Sequence, residues 1–417
     1  MPNKKRLAIF VAALSVVLGT LASTTPLCAA SSEQVLYAFQ GGKQDGSEPL
    51  AGVIFDSSGN LYGTTYEGGF YNGGIVFELT PNNGQWTEKV LHTFQPKYGA
   101  GPKAGLIMDS AGNLYGTTYD GGAHQYGTVF ELTPNNGEWT FKVLHGFIDN
   151  GKDGLDPAAG LIFGAAGNLY GTTAGGGAHG GGTVFELIAD HGTWTEKVLY
   201  SFCSQNSCKD GEFPYAGLVF DASGNLYGTT YDGGTHGFGT AFELAANNGK
   251  WTEKVLHNFT HNGNDGYNPL ASLILDTAGN LYGTTFYGGA DSSCNNFTGC
   301  GTVFELISNN GKWTEKLLHS FHGRGDGAFP RAGLIFDTAG NLYGTAEGGG
   351  LTDDGYGTVF ELVPDSGQWT ENVLYTFSGK GGGEGPDAGL IFDTTGNLYG
   401  TTSGGGDDYG TVFEVTP

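Results

Sequence analysis

The pentapeptide Gly-Asn-Leu-Tyr-Gly at residues 59–63 decides the fold of this chain, because it occurs seven times. Its copies begin at Gly59, Gly112, Gly167, Gly224, Gly279, Gly340 and Gly396. The intervals between copies are 53 to 61 residues, so the repeat spans nearly the whole chain. A period of this length is typical of solenoids and propellers, in which each copy is one supersecondary unit.

Each copy predicts four short β-strands, which we name A, B, C and D. In the first copy they are Ala-Gly-Val-Ile-Phe-Asp at 51–56, Asn-Leu-Tyr-Gly-Thr-Thr at 60–65, Gly-Ile-Val-Phe-Glu-Leu at 74–79 and Trp-Thr-Glu-Lys-Val-Leu-His-Thr-Phe at 86–94. Asp-x-x-Gly-Asn between A and B predicts a type I turn. Asn83-Gly84 between C and D predicts a two-residue type I′ hairpin.

The second hairpin places Glu78 opposite Lys89, and the same pairing recurs in four further copies. Those copies are Glu131 with Lys142, Glu186 with Lys197, Glu243 with Lys254 and Glu305 with Lys316. We interpret this column as cross-strand ion pairs worth about 0.2–1 kcal/mol each, and not as catalytic acids. The recurring Trp of strand D is predicted to pack between blades.

The two ends of the repeat array predict a closed ring. Residues 33–39 are a D strand that follows no A, B or C strand, and residues 410–414 are a C strand without a D strand after it. The first strand therefore completes the last sheet. We predict an all-β fold over 31–417, a seven-bladed β-propeller of four-stranded antiparallel blades, because closure leaves no sheet edge exposed.

Residues 1–30 have the layout of a secretory signal peptide, with Lys4, Lys5 and Arg6 before an apolar run and small residues at Ala29-Ala30. We place cleavage after Ala30. A lipoprotein signal ending at Cys28 is the alternative, although Leu27 precedes it where a small residue is usual. The protein is thus expected to be secreted, periplasmic or on the cell surface, without membrane insertion.

The mature chain is strongly acidic. Three of the 18 basic residues and none of the 42 acidic residues lie in 1–30, which leaves a formal net charge of −27. Such a surface repels nucleic acid and anionic lipid. We therefore expect no nucleic-acid partner, and we expect a monomer.

Loop lengths predict which face of the disc carries function. The A–B and C–D connections have constant length, whereas the B–C and D–A connections vary and hold all four mature cysteines. In a closed ring these variable loops share one face. Binding residues are found on loops that vary over a fixed scaffold, so this face is the candidate working face.

The cysteines of the mature chain form two close pairs, Cys203 with Cys208 and Cys294 with Cys300. In an exported chain each pair predicts a local disulfide. A zinc site is the alternative, but no histidine lies beside either pair. We assign no cofactor, with calcium at the recurring Asp-Gly of the D–A loops or a transition metal as weaker alternatives.

The candidate binding residues lie on the B–C loops of blades two to four. They are Tyr119, Asp120, His124, His179, Tyr231, Asp232 and His236. The aromatic and acidic members suit sugar stacking and hydroxyl binding. The three histidines occupy one loop position in neighbouring copies, so they are either a recurring turn residue or imidazoles that meet to hold a metal. No catalytic motif was found.

The columns Gly-Asn-Leu-Tyr-Gly-Thr-Thr, Tyr-x-Gly-Gly and Gly-Thr-Val-Phe-Glu-Leu resemble the GloVer tandem-repeat family of exported bacterial proteins, and the resemblance covers all seven copies. It implies a secreted or surface-displayed repeat protein and supplies no catalytic residues. We favour an extracellular binding module for a glycan or a protein partner. A polysaccharide hydrolase or lyase with its site on the variable loop face, and a purely structural surface protein, remain the alternatives.

Overall fold

The computed structural model describes residues 31–290, 294, 299–350, 355–379 and 381–417. The predicted signal peptide lies outside these residues. They form seven four-stranded antiparallel sheets, in which the strand order is A, B, C, D from the axis outwards. The predicted seven-bladed β-propeller is therefore confirmed. No helix within the described ranges has the length and apolar character needed to cross a membrane.

Each blade contributes one strand of each kind, in the order A to D. Blade 1 has Ile54–Phe55, Leu61–Thr65, Ile75–Asn82 and Gln85–Thr93; blade 2 has Ile107–Met108, Leu114–Thr118, Thr128–Asn135 and Glu138–Gly146. Blade 3 has Ile162–Phe163, Leu169–Thr173, Thr183–Asp190 and Thr193–Ser201; blade 4 has Val219–Phe220, Leu226–Thr230, Thr240–Asn247 and Lys250–Asn258. Blade 5 has Ile274–Leu275, Leu281–Thr285, Thr302–Asn309 and Lys312–Ser320; blade 6 has Ile335–Phe336, Leu342–Ala346, Thr358–Asp365 and Gln368–Thr376. Blade 7 has Ile391–Phe392, Leu398–Thr402, Thr411–Thr416 and, as its D strand, Ser32–Ala38.

The first strand closes the ring as the sequence predicts. Ser32–Ala38 pairs antiparallel with Thr411–Thr416, and Val35 lies opposite Phe413. The adjoining Phe39 is fully buried between this blade and blade 1. Full burial of a Phe side chain contributes about 1.5–3 kcal/mol, so the terminal strand is an integral part of the core.

Repeated contacts at every junction hold neighbouring blades together. The first Thr of each strand-B Thr-Thr (Thr-Ala in blade 6) donates a hydrogen bond from its hydroxyl to the strand-A Ala carbonyl of the next blade. The seven bonds join Thr64 to Ala104, Thr117 to Ala159, Thr172 to Ala216, Thr229 to Ala271, Thr284 to Ala332, Thr345 to Ala388 and Thr401 to Ala51. The last of them crosses the point of closure. The predicted Trp packing is also present, with Trp139 of blade 2 lying 6.2 Å from Tyr62 of blade 1 between ring centroids.

The two predicted turns form as expected. Asp56 accepts a backbone hydrogen bond from Gly59, which has a left-handed φ of 84°. Asn83 and Gly84 both have positive φ, at 50° and 81°, as a type I′ hairpin requires. These turns lie on the face of constant loop length.

The Glu–Lys column has the predicted register but fewer ion pairs than expected. Glu78 lies opposite Lys89, and the other four pairs are in the same register. Only Glu186–Lys197, at 3.5 Å, and Glu243–Lys254, at 3.9 Å, come within ion-pair distance in the described chain. Lys89 instead donates a hydrogen bond to the Gly137 carbonyl of the next blade. The lysine side chain reaches a carbonyl of the neighbouring blade. The column therefore has a structural role through hydrogen bonds between blades as well as through ion pairs.

Candidate functional site

The variable B–C and D–A loops are joined to each other on one face of the disc. Four blades pair these loops as short ribbons. The ribbons are Gly46–Ser47 with Glu67–Gly68, Gly154–Leu155 with Gly175–Gly176, Gly266–Tyr267 with Tyr287–Gly288 and Gly383–Glu384 with Gly404–Gly405. The other three blades have single bridges at the same place, such as Ala100 with Asp120. The loops therefore form one supported surface around the axis.

At the centre of this surface is a cavity of about 570 Å³, which we call the mouth. Every blade contributes the residue that follows the D–A loop proline. These seven residues are Leu50, Lys103, Ala158, Tyr215, Leu270, Arg331 and Asp387. Tyr231, Phe286 and Tyr287 from two B–C loops complete its wall. The mouth thus takes seven side chains of six residue types from one repeated position.

Below the mouth the channel becomes narrow. Its lining is the start of strand A from each blade, mostly Ala-Gly, around a cavity of about 170 Å³. A Cβ on Gly52 would lie 2.6 Å from the carbonyl oxygen of Gly389 in the neighbouring blade, so glycine is required by this close approach. The narrow channel forms a floor for the mouth.

The residue before each mouth proline has an unusual backbone. All seven have φ between 54° and 63°, and five of them are not glycine. The five are Glu48, Asp156, Phe213, Asn268 and Phe329. A left-handed conformation costs a non-glycine residue about 1–3 kcal/mol, and strain of this kind clusters at functional sites. The same backbone conformation therefore precedes the mouth residue in every blade.

Aromatic rings form one wall of the mouth. The centroids of Tyr215 and Tyr231 are 5.7 Å apart in an edge contact, and those of Phe286 and Tyr287 are 4.5 Å apart. The rings belong to blades 4 and 5 and lie next to the aliphatic Leu270. This wall offers flat apolar faces with phenolic hydroxyls at their edges.

Lys103 stands in the mouth between two tyrosines. Its Nζ lies 3.3 Å from the ring centroid of Tyr119 and 5.5 Å from that of Tyr66. Burial lowers the pKa of Lys103, and the nearby charges of Asp120 and Asp156 act in the opposite direction. Burial also raises the pKa of Tyr119 to about 12. The ammonium therefore lies against the faces of two tyrosine rings.

Arg331 is the second cation of the mouth. Its Nη1 lies 3.6 Å from an oxygen of Glu347 and 3.6 Å from an oxygen of Asp387, and its guanidinium lies 5.2 Å from the Phe286 centroid. Burial raises the pKa of Asp387, which Arg331 opposes. Burial and the charge of Asp387 raise the pKa of Glu347. Carboxylates therefore outnumber the cation in this half of the mouth.

The predicted tyrosines and aspartates lie in or beside the mouth. Tyr231 lines it, and Tyr119 contacts its Lys103. Asp120 acts on Lys103 through its charge. Asp232 accepts a hydrogen bond from the Asn268 amide at 2.9 Å, and burial raises the pKa of this carboxyl.

The three predicted histidines lie outside the mouth, and of the two interpretations the structure favours a recurring turn residue over imidazoles that meet. His124, His179 and His236 are exposed, and no metal-ligating cluster of described side chains includes them. Their turns lie over strand D, the outermost strand: Thr235 donates a backbone hydrogen bond to Asn258 at its end. The B–C loop reaches outwards before it returns to strand C, so equivalent tips separate around the rim.

The sulfur chemistry agrees with the prediction. Disulfides join Cys203 to Cys208 and Cys294 to Cys300. One group of possible metal ligands within the described ranges contains Cys203, Cys208 and Glu212. Both of its sulfurs are already bonded to each other, so they are not thiolate ligands.

The D–A aspartates considered as calcium ligands are engaged within the protein. The Asp45 carboxylate accepts hydrogen bonds from the Gln40 amide at 2.7 Å and the Tyr37 hydroxyl at 3.0 Å. Asp153 accepts from the Ile148 amide at 3.1 Å. These carboxylates cap their own loops.

Sequence reasoning missed Lys103, Tyr215, Arg331 and Asp387. A signal for them exists: the position between Pro and Ala in Pro-x-Ala-Gly changes in nearly every copy, whereas its neighbours are repeated. A single variable position inside a repeated segment indicates that the fold leaves that side chain free. Its location at the axis follows only from ring closure.

The fold is a seven-bladed propeller with an axial cavity of asymmetric lining on its variable loop face. The chain belongs to the Gloeobacter/Verrucomicrobia repeat family, which matches residues 15–162, 89–298 and 293–417. Among curated protein sequences, none matches the chain.

Solved structures share the propeller fold at low identity. An ulvan lyase from a polysaccharide lyase family has a TM-score of 0.55 and 10% identity, over 91% of this chain and 95% of that one. A fungal alcohol oxidase in complex with copper has a TM-score of 0.55 and 13% identity, over 93% and 77%. A putative 6-phosphogluconolactonase from Bacteroides uniformis has a TM-score of 0.51 and 13% identity, over 80% and 86%. Such different proteins on one fold indicate the architecture alone.

Proposed function

We propose that the protein is a secreted glycan-binding module whose site is the mouth. The observation that carries this proposal is a cavity of about 570 Å³ in which an aromatic wall faces the charged side chains of Lys103, Arg331 and Asp387. Small-molecule sites are commonly clefts of roughly 300–1,000 Å³ with a few convergent polar groups on apolar walls. Sugars present both an apolar C–H face and hydroxyl edges. The C–H face would stack on the aromatic wall, and the hydroxyls would bind the charged side chains.

The charge balance favours a neutral saccharide. Asp156, Glu347 and Asp387 surround the two cations, and burial raises the pKa of each carboxyl. An anionic ligand would meet these carboxylates as well as the net charge of the chain. A neutral sugar instead accepts hydrogen bonds from Lys103 and Arg331 and donates to the acids.

Location outside the cytoplasm is part of the proposal. Two disulfides support it, because such bonds persist in oxidising compartments. Amino-terminal sequencing of the exported protein should begin at Ser31. A mature protein that still carries residues 1–30, or that begins at Cys28 with a lipid, contradicts the predicted processing.

Binding at the mouth is tested with a glycan array followed by calorimetry. Tyr231→Ala should weaken affinity for the array ligand about tenfold, because it removes one stacking face. Lys103→Ala should weaken it similarly. Lys152→Ala is the matched control, since Lys152 is an exposed lysine on the same face outside the mouth. Equal affinity of wild type, Tyr231→Ala and Lys103→Ala would exclude the mouth as the binding site.

A polysaccharide-degrading enzyme is the second candidate. Two carboxyls with raised pKa, Glu347 and Asp387, flank one guanidinium at the mouth, and a raised pKa suits a proton donor. Release of reducing ends or of unsaturated sugars from soluble polysaccharides would show turnover. Loss of that release in Glu347→Gln, with ligand affinity retained, would establish an enzyme.

A further inference from the structure

The large hydrophobic side chains that are exposed in the described chain are four aromatic residues, and all lie on the variable loop face. They are Phe70 at 60% exposure, Tyr71 at 48%, Tyr98 at 45% and Tyr409 at 42%. Phe70 and Tyr71 belong to the B–C loop of blade 1, Tyr98 to the next D–A loop and Tyr409 to the B–C loop of blade 7. The four residues therefore occupy three consecutive blades, and we call them the aromatic arc.

Contacts connect the arc from blade 7 towards blade 1. The Tyr409 ring lies over Gly41, where a Cβ would be 2.7 Å from the ring. Lys43, two residues further along the same D–A loop, has its Nζ 5.3 Å from the Phe70 centroid. Tyr409 and Phe70 are thus positioned by one loop.

The connection continues from blade 1 to blade 2. Phe70 and Tyr71 are in edge contact with centroids 5.0 Å apart. At the end of their loop, the Gly73 carbonyl accepts a hydrogen bond from Gly101 at 2.9 Å, in the loop that carries Tyr98.

Tyr98 extends the arc to a cavity at the rim. The ammonium of Lys97 lies 5.2 Å from the centroid of Tyr98, and both residues line a cavity of about 320 Å³ that includes His124. The arc therefore ends beside one of the histidines that the sequence singled out.

The residue at Tyr98 is itself an exception in the repeat. Five other D–A loops have Asp at this position, immediately before a buried Gly. In each of them the Asp carboxylate accepts a backbone hydrogen bond from its own loop, at a junction between blades. In this loop the junction below is filled instead by His92 stacked on Phe141, with centroids 4.1 Å apart. The junction does not need a carboxylate here, so position 98 is free to present a ring to solvent.

One B–C loop of blade 1 carries both a ring next to the mouth and part of the arc. Tyr66, whose ring contacts Lys103 of the mouth, and Phe70 lie on the same B–C loop. A ligand that leaves the mouth along this loop would pass from Tyr66 to Phe70, which follows four residues later. This geometry links an axial site to an outer row of rings.

The chemistry of the arc favours a polysaccharide chain over a protein or a membrane. Its rings stand beside glycines and lysines, and no exposed large aliphatic side chain accompanies them in the described chain. Protein interfaces have a desolvated core that is more apolar and contiguous. The net charge of the mature chain opposes an anionic membrane surface. Separated rings with a cation beside Phe70 and Tyr98 suit successive sugar units, whose C–H faces stack while hydroxyls accept from lysine.

We propose that the aromatic arc extends the mouth into a binding surface for several units of a neutral polysaccharide chain. This proposal rests on the proposed function of the mouth and deepens it: the ligand is a long glycan and not a free mono- or disaccharide. The mouth holds one part of the chain, and the arc holds units further along it.

The test compares ligand length. Calorimetry is carried out with cello-, xylo-, manno- and laminari-oligosaccharides, each as the disaccharide and the hexasaccharide. Wild type should bind the hexasaccharide of its preferred series at least about tenfold more tightly than the disaccharide, since each stacked ring adds roughly threefold to fivefold. The variant Phe70→Ala/Tyr71→Ala/Tyr98→Ala/Tyr409→Ala should lose this ratio and keep the disaccharide affinity.

Two controls separate ring stacking from loop structure. Phe70→Tyr/Tyr71→Phe/Tyr98→Phe keeps the rings and should keep the preference for length. His179→Ala/His236→Ala changes the equivalent turn tips of blades 3 and 4 and should leave both affinities unchanged. All variants should keep a single cooperative thermal transition within a few degrees of wild type, because the altered side chains lie outside the blade cores.

The possible failures are distinguishable. Equal affinity of wild type for disaccharide and hexasaccharide, or an unchanged ratio in the alanine variant, overturns the arc and leaves the mouth proposal intact. Retention on insoluble polysaccharide that depends on the arc but not on Tyr231 overturns the mouth instead. Absence of binding to every oligosaccharide and insoluble polysaccharide overturns both.

Discussion

The blade junctions and the mouth are each built from seven equivalent positions, but only the junctions repeat their chemistry. Five junctions bring together a Tyr or His of strand D, the Asp of the following loop and a Glu of strand D in the next blade. These sets are Tyr37, Asp45 and Glu88; His145, Asp153 and Glu196; Tyr200, Asp210 and Glu253; His257, Asp265 and Glu315; and His319, Asp326 and Glu371. The mouth instead has six residue types at seven positions.

This difference distinguishes residues that hold the blades together from residues that line the mouth. A residue that must fit the same neighbours in every copy is repeated, because each junction presents the same packing problem. A residue that faces the shared axis has no such constraint. Repetition within the chain therefore indicates structural acids, whereas its loss at Pro-x-Ala-Gly marks the positions that line the mouth.

The largest expected effect concerns ring closure. Deletion of residues 31–40 removes the D strand of blade 7 together with the buried Phe39. We expect loss of the cooperative thermal transition, since an open ring exposes a sheet edge and part of a core cluster. Phe39→Ala alone should cost about 3–5 kcal/mol in the free energy of unfolding, measured by denaturant titration. A deleted protein that melts at the wild-type temperature would contradict closure by the first strand.

The next effect is a pH dependence of stability that comes from the junctions. Burial and the neighbouring Asp raise the pKa of Glu88, Glu196 and Glu315 to about 7, and that of Glu253 and Glu371 to about 8. In each of them Oε1 is buried without a hydrogen-bond partner among the described residues. The folded protein therefore binds protons that the unfolded chain releases above its ordinary Glu pKa.

The direction of the pH dependence of stability follows from these raised pKa values. Stability should be greatest near pH 5 and should decrease as the pH rises through 7 to 8, because folding then requires charged, buried carboxylates. The melting temperature should fall by roughly 5 °C between these limits. Replacing the five glutamates by Gln should flatten the profile, whereas Glu138→Gln, at an exposed turn, should not. A melting temperature that rises with pH over this window would disprove the account.

A smaller effect on stability is expected at the junction between blades 1 and 2. Here Phe141 replaces the Glu and stacks on His92, whose pKa burial lowers to about 4. Phe141→Glu should destabilise the protein by about 2 kcal/mol at pH 8 and by less at pH 5, because a buried charge gains no partner. Phe141→Leu, which stays apolar, should cost a similar amount at both values. An identical pH profile of stability for the two variants would show that a charge at this junction does not affect stability.

The smallest effect is expected at the histidine turns. His124, His179 and His236 are exposed and separate, so their joint replacement by Ala should leave the melting temperature unchanged. Zinc titration monitored by calorimetry should show no difference between this variant and wild type. A loss of metal binding in the variant would restore the metal hypothesis for these loops.

The strands, the two turn types, the register of the C–D hairpin, the closure of the ring and both disulfides could be predicted from the sequence. Each of these depends on neighbours in the chain or on repeated pairing, so spacing was sufficient to predict it. The sequence also predicted that the variable face carries the function, which stays a prediction, and it singled out Tyr231, which lines the mouth, because aromatic residues stand out in its loop.

The set of residues that meets at the axis depends on the tertiary structure. Lys103 and Arg331 are more than 200 residues apart in sequence and belong to blades 2 and 6. They line one cavity because ring closure brings the start of every strand A together. The histidines show the converse, since they share one loop position in three blades and yet form no common cluster among the described residues.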